Sequence, residues 1–501
     1  MSDLPISPLA WIVAAALATL GAAIVTLWSI RRIRHAIRNW FRRQVLRAVR
    51  RFEVRLERYK LVERRRIRDE LLLDPAVHAA MRAHATDTGL PEPGIRAQVE
   101  RYIDEIVPFF NVLSYYRIGY NLARALINLL YRPEVTWEDR DRLNAIPRRD
   151  VVVYLMNHRS NADYVVVAYV LARGVSISYA VGEWARTWPL EYVFKSFGSY
   201  FIRRRFRDPL YHTVLERYVQ LITRNGVTQG IFLEGGLSRD GALRPAKIGL
   251  LDYIVRTIEA PAFDRDIWLV PVALNYDRVL EDRSLIRELV DPEGRPGRLR
   301  QVLGVLRYVT LNVLRFLTGR LRRYGRVAVN FGTPVSVRAW AAEHPGALAL
   351  PREARLPEVQ TLADGMLSRV GAIIPVTPVP LAAAALLSFG ETAIQQPDLL
   401  RRLEDYRDHL AGRDAKLVHA DRDAEAILER AWKTFGMRRV VHREGETLVI
   451  LPRHRPLLEY YANSIRHLLP APADRSSAAH PALEEDVTLP RLRRPDGRSA
   501  S

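Results

Sequence analysis

The sequence of 501 residues contains no cysteine and only five lysines, and both features restrict what the protein can do. Without cysteine, disulfides, thiolate metal sites and a cysteine nucleophile are excluded. Because lysine is so scarce, arginine carries nearly all of the positive charge, and the formal net charge is +20 at pH 7. Arginine binds phosphate through paired hydrogen bonds, but an excess spread this widely is more typical of a compositional bias. The charge alone therefore does not identify a ligand.

Charged residues are absent from residues 8–30, a run of 23 residues with Trp11 and Trp28 near its two ends. This length suits a bilayer-spanning helix, and tryptophan is common at membrane interfaces. Arginines follow the run and none precedes it, which favours an uncleaved anchor over a cleaved signal peptide. By the positive-inside rule the rest of the chain is cytoplasmic. We predict a single-pass anchor within residues 1–30 in the cell membrane.

A strongly basic segment follows the predicted anchor. Residues 31–68 hold sixteen Lys or Arg against three acidic residues, which accounts for +13 of the total charge of +20. Apolar residues recur there in steps of three or four, a spacing that predicts an amphipathic helix. Attached to an anchor, such a helix is expected to lie on an anionic leaflet, whereas a nucleic-acid arm or a solvated helix are the alternatives. We predict a juxtamembrane helix over residues 31–70 that contacts anionic lipids, and no nucleic-acid partner.

The middle of the chain alternates short apolar runs with helical stretches. Candidate strands cover residues 151–156, 178–181, 200–203, 230–233, 267–274 and 326–331. This alternation predicts an α/β domain over residues 146–340, with a mostly parallel or mixed sheet flanked by helices. Added helical regions are predicted over residues 71–145 and 341–470. The Pro-, Ser- and Arg-rich residues 471–501 predict a disordered tail.

The stretch VVVYLMNHRSNADY at residues 151–164 holds the first candidate site. Its β-branched apolar run is typical of a buried strand, and His158 follows at the carboxyl end, where open α/β sheets bind ligands. Asp163 lies five residues on, in the first turn of the next helix. Its carboxylate can contact the imidazole and leave the other ring nitrogen able to accept a proton. From these residues alone, a general base and an ordinary hydrogen-bonded loop histidine are equally open.

Polar residues also follow three other predicted strands. The run GSYFIRRR ends in arginines, and Arg203 and Arg204 are either solvated or able to hold a phosphate. The run GIFLEGGLSRDG contains Glu234 and Gly235, either a plain turn or a place where a ligand approaches the backbone closely. The run LVPVALNYDRVLE contains Pro271, which favours an edge strand or a bulge, with a plain buried strand as the alternative.

Taken together and in this order, the four clusters resemble the motifs of the glycerolipid acyltransferase superfamily, the PlsC-like acyltransferases. NHRSNAD resembles the first motif, a His and an Asp separated by four residues; GSYFIRR, FLEGGLSR and VPVALNYD resemble the second, third and fourth. HRSNADY, FIRR and LEYYANSIRHLL are closer to the branch that acylates glycerol 3-phosphate or dihydroxyacetone phosphate. One departure is Leu237, which stands where the family usually has an arginine expected to help hold the acceptor phosphate.

The resemblance implies transfer of a fatty acyl group from a thioester to a hydroxyl of glycerol 3-phosphate. His158 is expected to take the hydroxyl proton as general base, and Asp163 to orient it and stabilise the imidazolium. The expected substrate-binding residues are Arg203, Arg204, Glu234, Gly235, Ser238 and Arg239. No metal and no cofactor are expected. Acyl-coenzyme A or an acyl carrier protein thioester is the expected co-substrate.

Two other functions stay open at this point. Leu237 leaves room for another acceptor, such as lysophosphatidate, dihydroxyacetone phosphate or another lysolipid. A non-catalytic homologue that binds lipid phosphate through its arginines is the other alternative. His158 and Asp163 argue against it, since an inactive relative has no need of that pair.

Overall fold

In the computed structural model the described residues are 32, 59, 64–109, 119–171, 175–186, 190–203, 206–290, 315, 318, 324–390, 393–438 and 440–470. The chain divides into two units, Met1–Leu469 and Pro470–Ser501, and all elements named below belong to the first. The predicted anchor, most of the predicted basic helix and the predicted tail lie outside the described residues. Within the described ranges, no helix combines the length and the apolar character needed to cross a membrane.

Eight strands in the described part of the chain form one mixed sheet. They are β1 (Arg132–Trp137), β2 (Val151–Met156), β3 (Ser178–Gly182), β4 (Tyr200–Ile202), β5 (Gln229–Phe232), β6 (Ile267–Tyr276), β7 (Arg326–Phe331) and β8 (Val335–Ser336). The order is β1-β7-β6-β2-β5-β3-β4, and β8 also pairs with β6. Strands β2 to β6 are parallel to one another, whereas β7 and β8 run antiparallel to β6. The predicted α/β fold with a mixed sheet is confirmed.

Helices flank this sheet. Before β6 they are α1 (Arg64–Leu72), α2 (Pro75–Thr88), α3 (Glu92–Ile106), α4 (Tyr120–Leu130), α5 (Arg140–Asn144), α6 (Asp163–Leu171), α7 (Leu190–Ser196), α8 (Pro209–Arg224) and α9 (Gly249–Val255). After β6 they are α10 (Asp282–Val290), α11 (Val337–Glu343), α12 (Arg352–Ala372), α13 (Pro378–Ser388), α14 (Gln396–Ala411), α15 (Ala424–Arg438) and α16 (Arg455–Ala462). A second, antiparallel sheet comprises β9 (Ala393–Gln395), β10 (Val441–Glu444) and β11 (Thr447–Ile450).

Strand β2 explains why the sheet is covered on both faces. All six of its residues are buried. Because successive side chains of a strand point to opposite faces, its odd-numbered residues enter one core and its even-numbered residues the other. Helices α3, α8 and α9 contribute to the first core, and α6, α13 and α16 to the second. An uninterrupted apolar run is therefore the expected sequence for this strand.

Two regions predicted to be helical also contain strands. Strand β1 lies within residues 71–145 and pairs with β7 at the edge of the large sheet. Its sequence RPEVTW has a proline and is half exposed, as an edge strand allows, so it lacks the apolar run that marks a buried strand. The small sheet of β9, β10 and β11 lies within residues 341–470. The prediction of wholly helical regions was wrong at these strands.

Pro271 was predicted to mark an edge or a bulge, yet β6 has partners on both sides. On the edge of β6 that faces away from β2, Pro271 lies in the gap between two partner strands. Pairing with β8 ends at Leu269, and pairing with β7 begins at Val272. Its carbonyl accepts a hydrogen bond from Gly332 N–H at 2.8 Å. Among the described residues, no strand residue is paired with Pro271 on that side, so its missing N–H is tolerated.

Candidate active site

His158 and Asp163 form a buried pair between β2 and α6. Nδ1 of His158 lies 2.9 Å from Oδ2 of Asp163, and the two residues are 1% and 0% exposed. The loop folds back because the N–H groups of Arg159 and Ser160 donate to the same Oδ2 at 2.7 and 2.9 Å. Within the described part of the chain, no group bonds Nε2 of His158. With Nδ1–H donated to the carboxylate, Nε2 is the nitrogen that can accept a proton.

Tyr276, the last residue of β6, holds the other oxygen of the Asp163 carboxylate. Its hydroxyl donates to Oδ1. Burial, followed by the charge of Asp163, raises the pKa of Tyr276 well above its ordinary value, so the phenol stays a donor. Asp163 thus accepts from an imidazole, two N–H groups and a hydroxyl. This set of donors fixes its orientation and satisfies a carboxylate that has no access to water.

Two aromatic rings fix the plane of the imidazole. The Phe232 ring stacks on His158 with 3.9 Å between ring centroids, and the Tyr164 ring meets it edge-on at 5.4 Å. Such contacts restrict rotation of the histidine about its side-chain bonds. Phe232 ends β5 and Tyr164 lies in the first turn of α6, so both neighbours come from elements that the sheet positions.

Glu234 follows β5, the strand beside β2, and supports the backbone of the histidine. Its Oε1 accepts from the N–H of His158 at 2.8 Å, and its Oε2 from the N–H of Arg244 at 3.0 Å. The N–H of Ser238 donates to the carbonyl of His158 at 3.0 Å. The turn between them needs glycine, because Gly235 has φ +67° and a Cβ there would lie 2.8 Å from Cγ of Lys247. The structure therefore brings Glu234, Gly235 and Ser238 to His158.

Burial raises the pKa of Glu234 to about 7, and the N–H groups of His158 and Arg244 only partly offset it. Since this folded pKa exceeds the unfolded value, the folded state binds more protons from about pH 4.5 to 7, and stability falls as pH rises through that window. Between pH 5 and 8 the free energy of unfolding of the wild-type protein should fall by about 2.5 kcal/mol relative to that of Glu234→Gln, whose side chain does not titrate. Unfolding midpoints of both proteins at the two pH values measure this, and a constant difference would contradict a buried ionisable Glu234.

Glu281, a half-buried carboxylate that follows β6, contacts the histidine loop, and the sequence analysis did not include it. Its Oε2 accepts from Ser160 Oγ at 2.7 Å and its Oε1 from Asn161 N–H at 2.8 Å. Burial raises the pKa of Glu281. Ser160 also accepts from the N–H of Ala162 at 3.0 Å, so its hydroxyl is held within the loop. Ser160 and Glu281 are 121 residues apart, and no local pattern predicts their contact.

Arg159 connects the histidine loop to the C-terminal helix α16. Its side chain is buried, Nη1 donates to the carbonyl of Gly241, and the guanidinium lies 4.7 Å from the centroid of the Tyr460 ring. The Tyr460 hydroxyl donates back to the Arg159 carbonyl at 3.2 Å. Gly241 has φ +87°, and a Cβ there would lie 1.9 Å from the Tyr460 carbonyl oxygen. Helix α16 is therefore packed against both the first and the third motif.

The structure does not bring Arg203 to His158. The Nε of Arg203 donates to Glu105 Oε1 at 2.7 Å and its Nη2 to the other oxygen, while Arg186 binds the same carboxylate at 2.9 Å. Arg203 follows β4, which lies three strands from β2. At the usual strand spacing this separation is about 14 Å. The guanidinium expected to hold a phosphate is thus occupied by a buried carboxylate.

The side chain of Arg239 is also engaged by a carboxylate. Arg239 makes an ion pair with Glu288 at 3.4 Å, and both side chains are partly exposed. Arg204 lies outside the described residues. Leu237, the departure from the family pattern, packs against the hydrophobic core.

Two family models match this chain. Acyltransferase matches residues 139–275, which include β2 to β6 with His158, Asp163 and Glu234. Glycerol-3-phosphate acyltransferase C-terminal region matches residues 310–486. The predicted resemblance to the glycerolipid acyltransferases is confirmed. In the acyltransferase match, the residues of the first and third motifs are those that meet around His158.

Curated relatives agree with this. The glycerol-3-phosphate acyltransferase of Aeromonas hydrophila is 31% identical over 429 residues, covering 83% of this chain and 51% of the relative. That of Actinobacillus succinogenes is 28% identical over 448 residues, covering 86% and 53%. The chain thus spans about half the length of these relatives. Among solved structures, the LPA acyltransferase PlsC of Thermotoga maritima matches 51% of this chain and 79% of its own, at 17% identity and a TM-score of 0.30.

Proposed function

We propose that this protein transfers an acyl group from a thioester to a hydroxyl of glycerol 3-phosphate, giving lysophosphatidate. The observation that carries the proposal is the buried contact of His158 with Asp163, which leaves Nε2 at the carboxyl end of β2 as a base. Relatives named glycerol-3-phosphate acyltransferase match the chain across this region, which supports the choice of acceptor.

The reaction proceeds in one transfer. Nε2 of His158 takes the proton of the acceptor hydroxyl while its oxygen bonds to the thioester carbonyl carbon, and Asp163 stabilises the imidazolium. The carbon–sulfur bond then breaks, the thiolate leaves, and the imidazolium returns the proton to it. Ser160 donates to Glu281 and the chain has no cysteine, which supports direct transfer over a covalent acyl-enzyme.

The acyl donor in this proposal is acyl-coenzyme A or an acyl carrier protein thioester, and the chemistry requires no metal or further cofactor. The proposal also places the protein at the cell membrane. The uncharged residues 8–30 act as its anchor and the basic residues 31–70 contact an anionic leaflet, with the acyltransferase domain in the cytoplasm. An apolar acyl chain and a water-soluble acceptor meet naturally at such a surface.

A second candidate is the same chemistry on another acceptor. It is favoured by Leu237, which packs against the core where the family usually has an arginine, and by Arg203, whose guanidinium is bound by Glu105. Lysophosphatidate, dihydroxyacetone phosphate and other lysolipids belong to this candidate. Both candidates use the same base, so the choice of acceptor is what an experiment must decide.

An acceptor panel tests the proposal. Membranes containing the full chain would receive labelled glycerol 3-phosphate, dihydroxyacetone phosphate or lysophosphatidate, each with acyl-coenzyme A or with an acyl carrier protein thioester. We expect labelled lysophosphatidate from glycerol 3-phosphate at the highest kcat/KM of the panel. If product forms only with another acceptor, that compound would replace glycerol 3-phosphate as the proposed acceptor. No product from any acceptor, with the protein present in the membrane, would leave the non-catalytic homologue as the explanation.

A further inference from the structure

Arg278 follows the carboxyl end of β6, the strand next to β2 in the sheet. It is two residues from Tyr276, whose hydroxyl bonds Asp163. Two residues of chain span at most about 7 Å, so the Cα of Arg278 lies within that distance of the Cα of Tyr276. The Arg278 carbonyl accepts from the Tyr131 hydroxyl at 2.8 Å, which fixes this part of the chain. Arg278 is therefore an arginine on the catalytic edge of the sheet.

The guanidinium of Arg278 differs in its partners from those of Arg203 and Arg355. Arg203 binds Glu105 and Arg355 binds Asp252, whereas no carboxylate among the described residues pairs with Arg278. Its Nε is buried and has no hydrogen-bond partner within those residues. The side chain as a whole is partly exposed, so a solute can reach its outer N–H groups. A half-buried guanidinium with unused donors favours an anion as its partner.

Tyr324 determines which part of the guanidinium is available. The Cζ of Arg278 lies 4.0 Å from the centroid of the Tyr324 ring. A ring packed on the face of a guanidinium leaves the in-plane N–H groups at its edge to bind a ligand. This edge is the part that matches two oxygens of a phosphate.

A second arginine adds positive charge beside Arg278. Arg438 is buried and donates through Nη1 to Asp282, which also accepts from the Tyr461 hydroxyl. Burial, and after it the charge of Arg438, lowers the pKa of Arg278. Because Asp282 is paired with Arg438, the positive charge of Arg278 has no carboxylate partner among the described residues, and this favours an anionic ligand.

We propose that Arg278 binds a phosphate group of a substrate during acyl transfer. The inference rests on the proposed function and adds to it a binding residue, directly after VPVALNYD, that the sequence analysis did not include. Arg203 is occupied by Glu105 and Leu237 has replaced an arginine, so Arg278 supplies charge that these positions do not. The phosphate belongs either to the acceptor or to the carrier of the acyl group, and both sources present the same chemistry.

Kinetics of Arg278→Leu and Arg278→Lys, measured on the full chain in membranes, separate the two sources. Loss of a charge-assisted pair of hydrogen bonds should raise one KM about 10- to 100-fold in the Leu variant. A rise in KM for glycerol 3-phosphate assigns the acceptor, and a rise for the acyl thioester assigns its carrier. The Lys variant keeps the positive charge but lacks the paired N–H groups of a guanidinium, so its KM should lie between those of the wild-type and Leu proteins. Arg401→Leu, an exposed arginine of α14, is the control and should leave both KM values unchanged.

Binding without turnover separates this inference from the proposed function. Dissociation constants for glycerol 3-phosphate and for free coenzyme A would be measured with His158→Ala protein, with and without Arg278→Lys. Weaker binding of either compound supports the inference even if no acceptor is acylated. Unchanged KM values and unchanged dissociation constants, in variants that keep the wild-type unfolding midpoint, would overturn it. If Arg278→Leu does not fold, the KM values and dissociation constants of Arg278→Lys are judged by the same criteria.

Discussion

Replacing His158 with alanine is expected to lower kcat for acyl transfer about 10³-fold, within the 10²–10⁴ range of general-base catalysis. The imidazole is the group at the end of β2 whose ring nitrogen Nε2 has no partner in the described part of the chain. Without it, the acceptor hydroxyl must attack as a neutral alcohol or lose its proton to water. Rates of product formation at saturating substrate, with equal amounts of variant and wild-type protein, measure the effect.

Two controls separate loss of the base from loss of the fold. His442→Ala removes an exposed histidine of β10 and should keep wild-type kcat. His158→Gln keeps most of the side-chain volume next to Phe232 and should lose as much activity as alanine, because an amide is not a base at neutral pH. A His158→Ala protein with more than a tenth of wild-type kcat would rule out His158 as the general base.

The strands at the centre of the sheet could be predicted from the sequence because a buried strand needs a run of apolar residues. The run at 151–156 is apolar throughout and the run at 326–331 is mostly apolar, and the structure has strands with those bounds. The edge strand β1 has no such run, since a half-exposed strand accepts Arg132, Pro133 and Glu134. Its place in the sheet depends on pairing with β7, almost two hundred residues later. Local periodicity cannot show a partner at that separation.

The same distinction applies to the site. His158 and Asp163 are five residues apart, and a strand end followed by a first helical turn brings them together without help from distant residues. Tyr276 contacts Asp163 across 113 residues and Glu105 contacts Arg203 across 98. The contact of Tyr276 with Asp163 completes the site. The contact of Glu105 with Arg203 occupies a guanidinium that was predicted to bind phosphate. The sequence shows which residue types are present, but it does not show which carboxylate each arginine meets.

The C-terminal region takes part in the same network, which gives it a role beyond packing. Tyr460 contacts Arg159 of the first motif, and Asn463 donates to the carbonyl of Asp240 at 2.9 Å. The Tyr461 hydroxyl donates to Asp282, which follows β6, so Tyr461 holds the loop after that strand. The helix that follows the whole domain in sequence thus holds three of the loops at the catalytic edge.

Asp163→Asn is expected to lower kcat about 10³-fold with little change in either KM, since a neutral amide cannot stabilise the imidazolium. The fold should tolerate the change. An asparagine oxygen at the Oδ2 position still accepts from His158 and from the N–H groups of Arg159 and Ser160, and its amide can donate to the Tyr276 hydroxyl oxygen. The substitution therefore removes a charge while leaving an acceptor for Nδ1–H, and the tautomer of His158 is kept.

This separation makes the charge of Asp163 testable on its own. Asp405→Asn removes an exposed carboxylate from α14 and should leave kcat unchanged. If Asp163 serves only to orient the ring, the Asn variant should keep kcat within about tenfold of wild type, because the orienting hydrogen bonds persist. If its charge stabilises the imidazolium, kcat falls while the unfolding midpoint and both KM values stay near wild type. A parallel loss of stability and of substrate binding would instead show that Asp163 holds the loop, and the mechanism would then need another source of stabilisation for the protonated histidine.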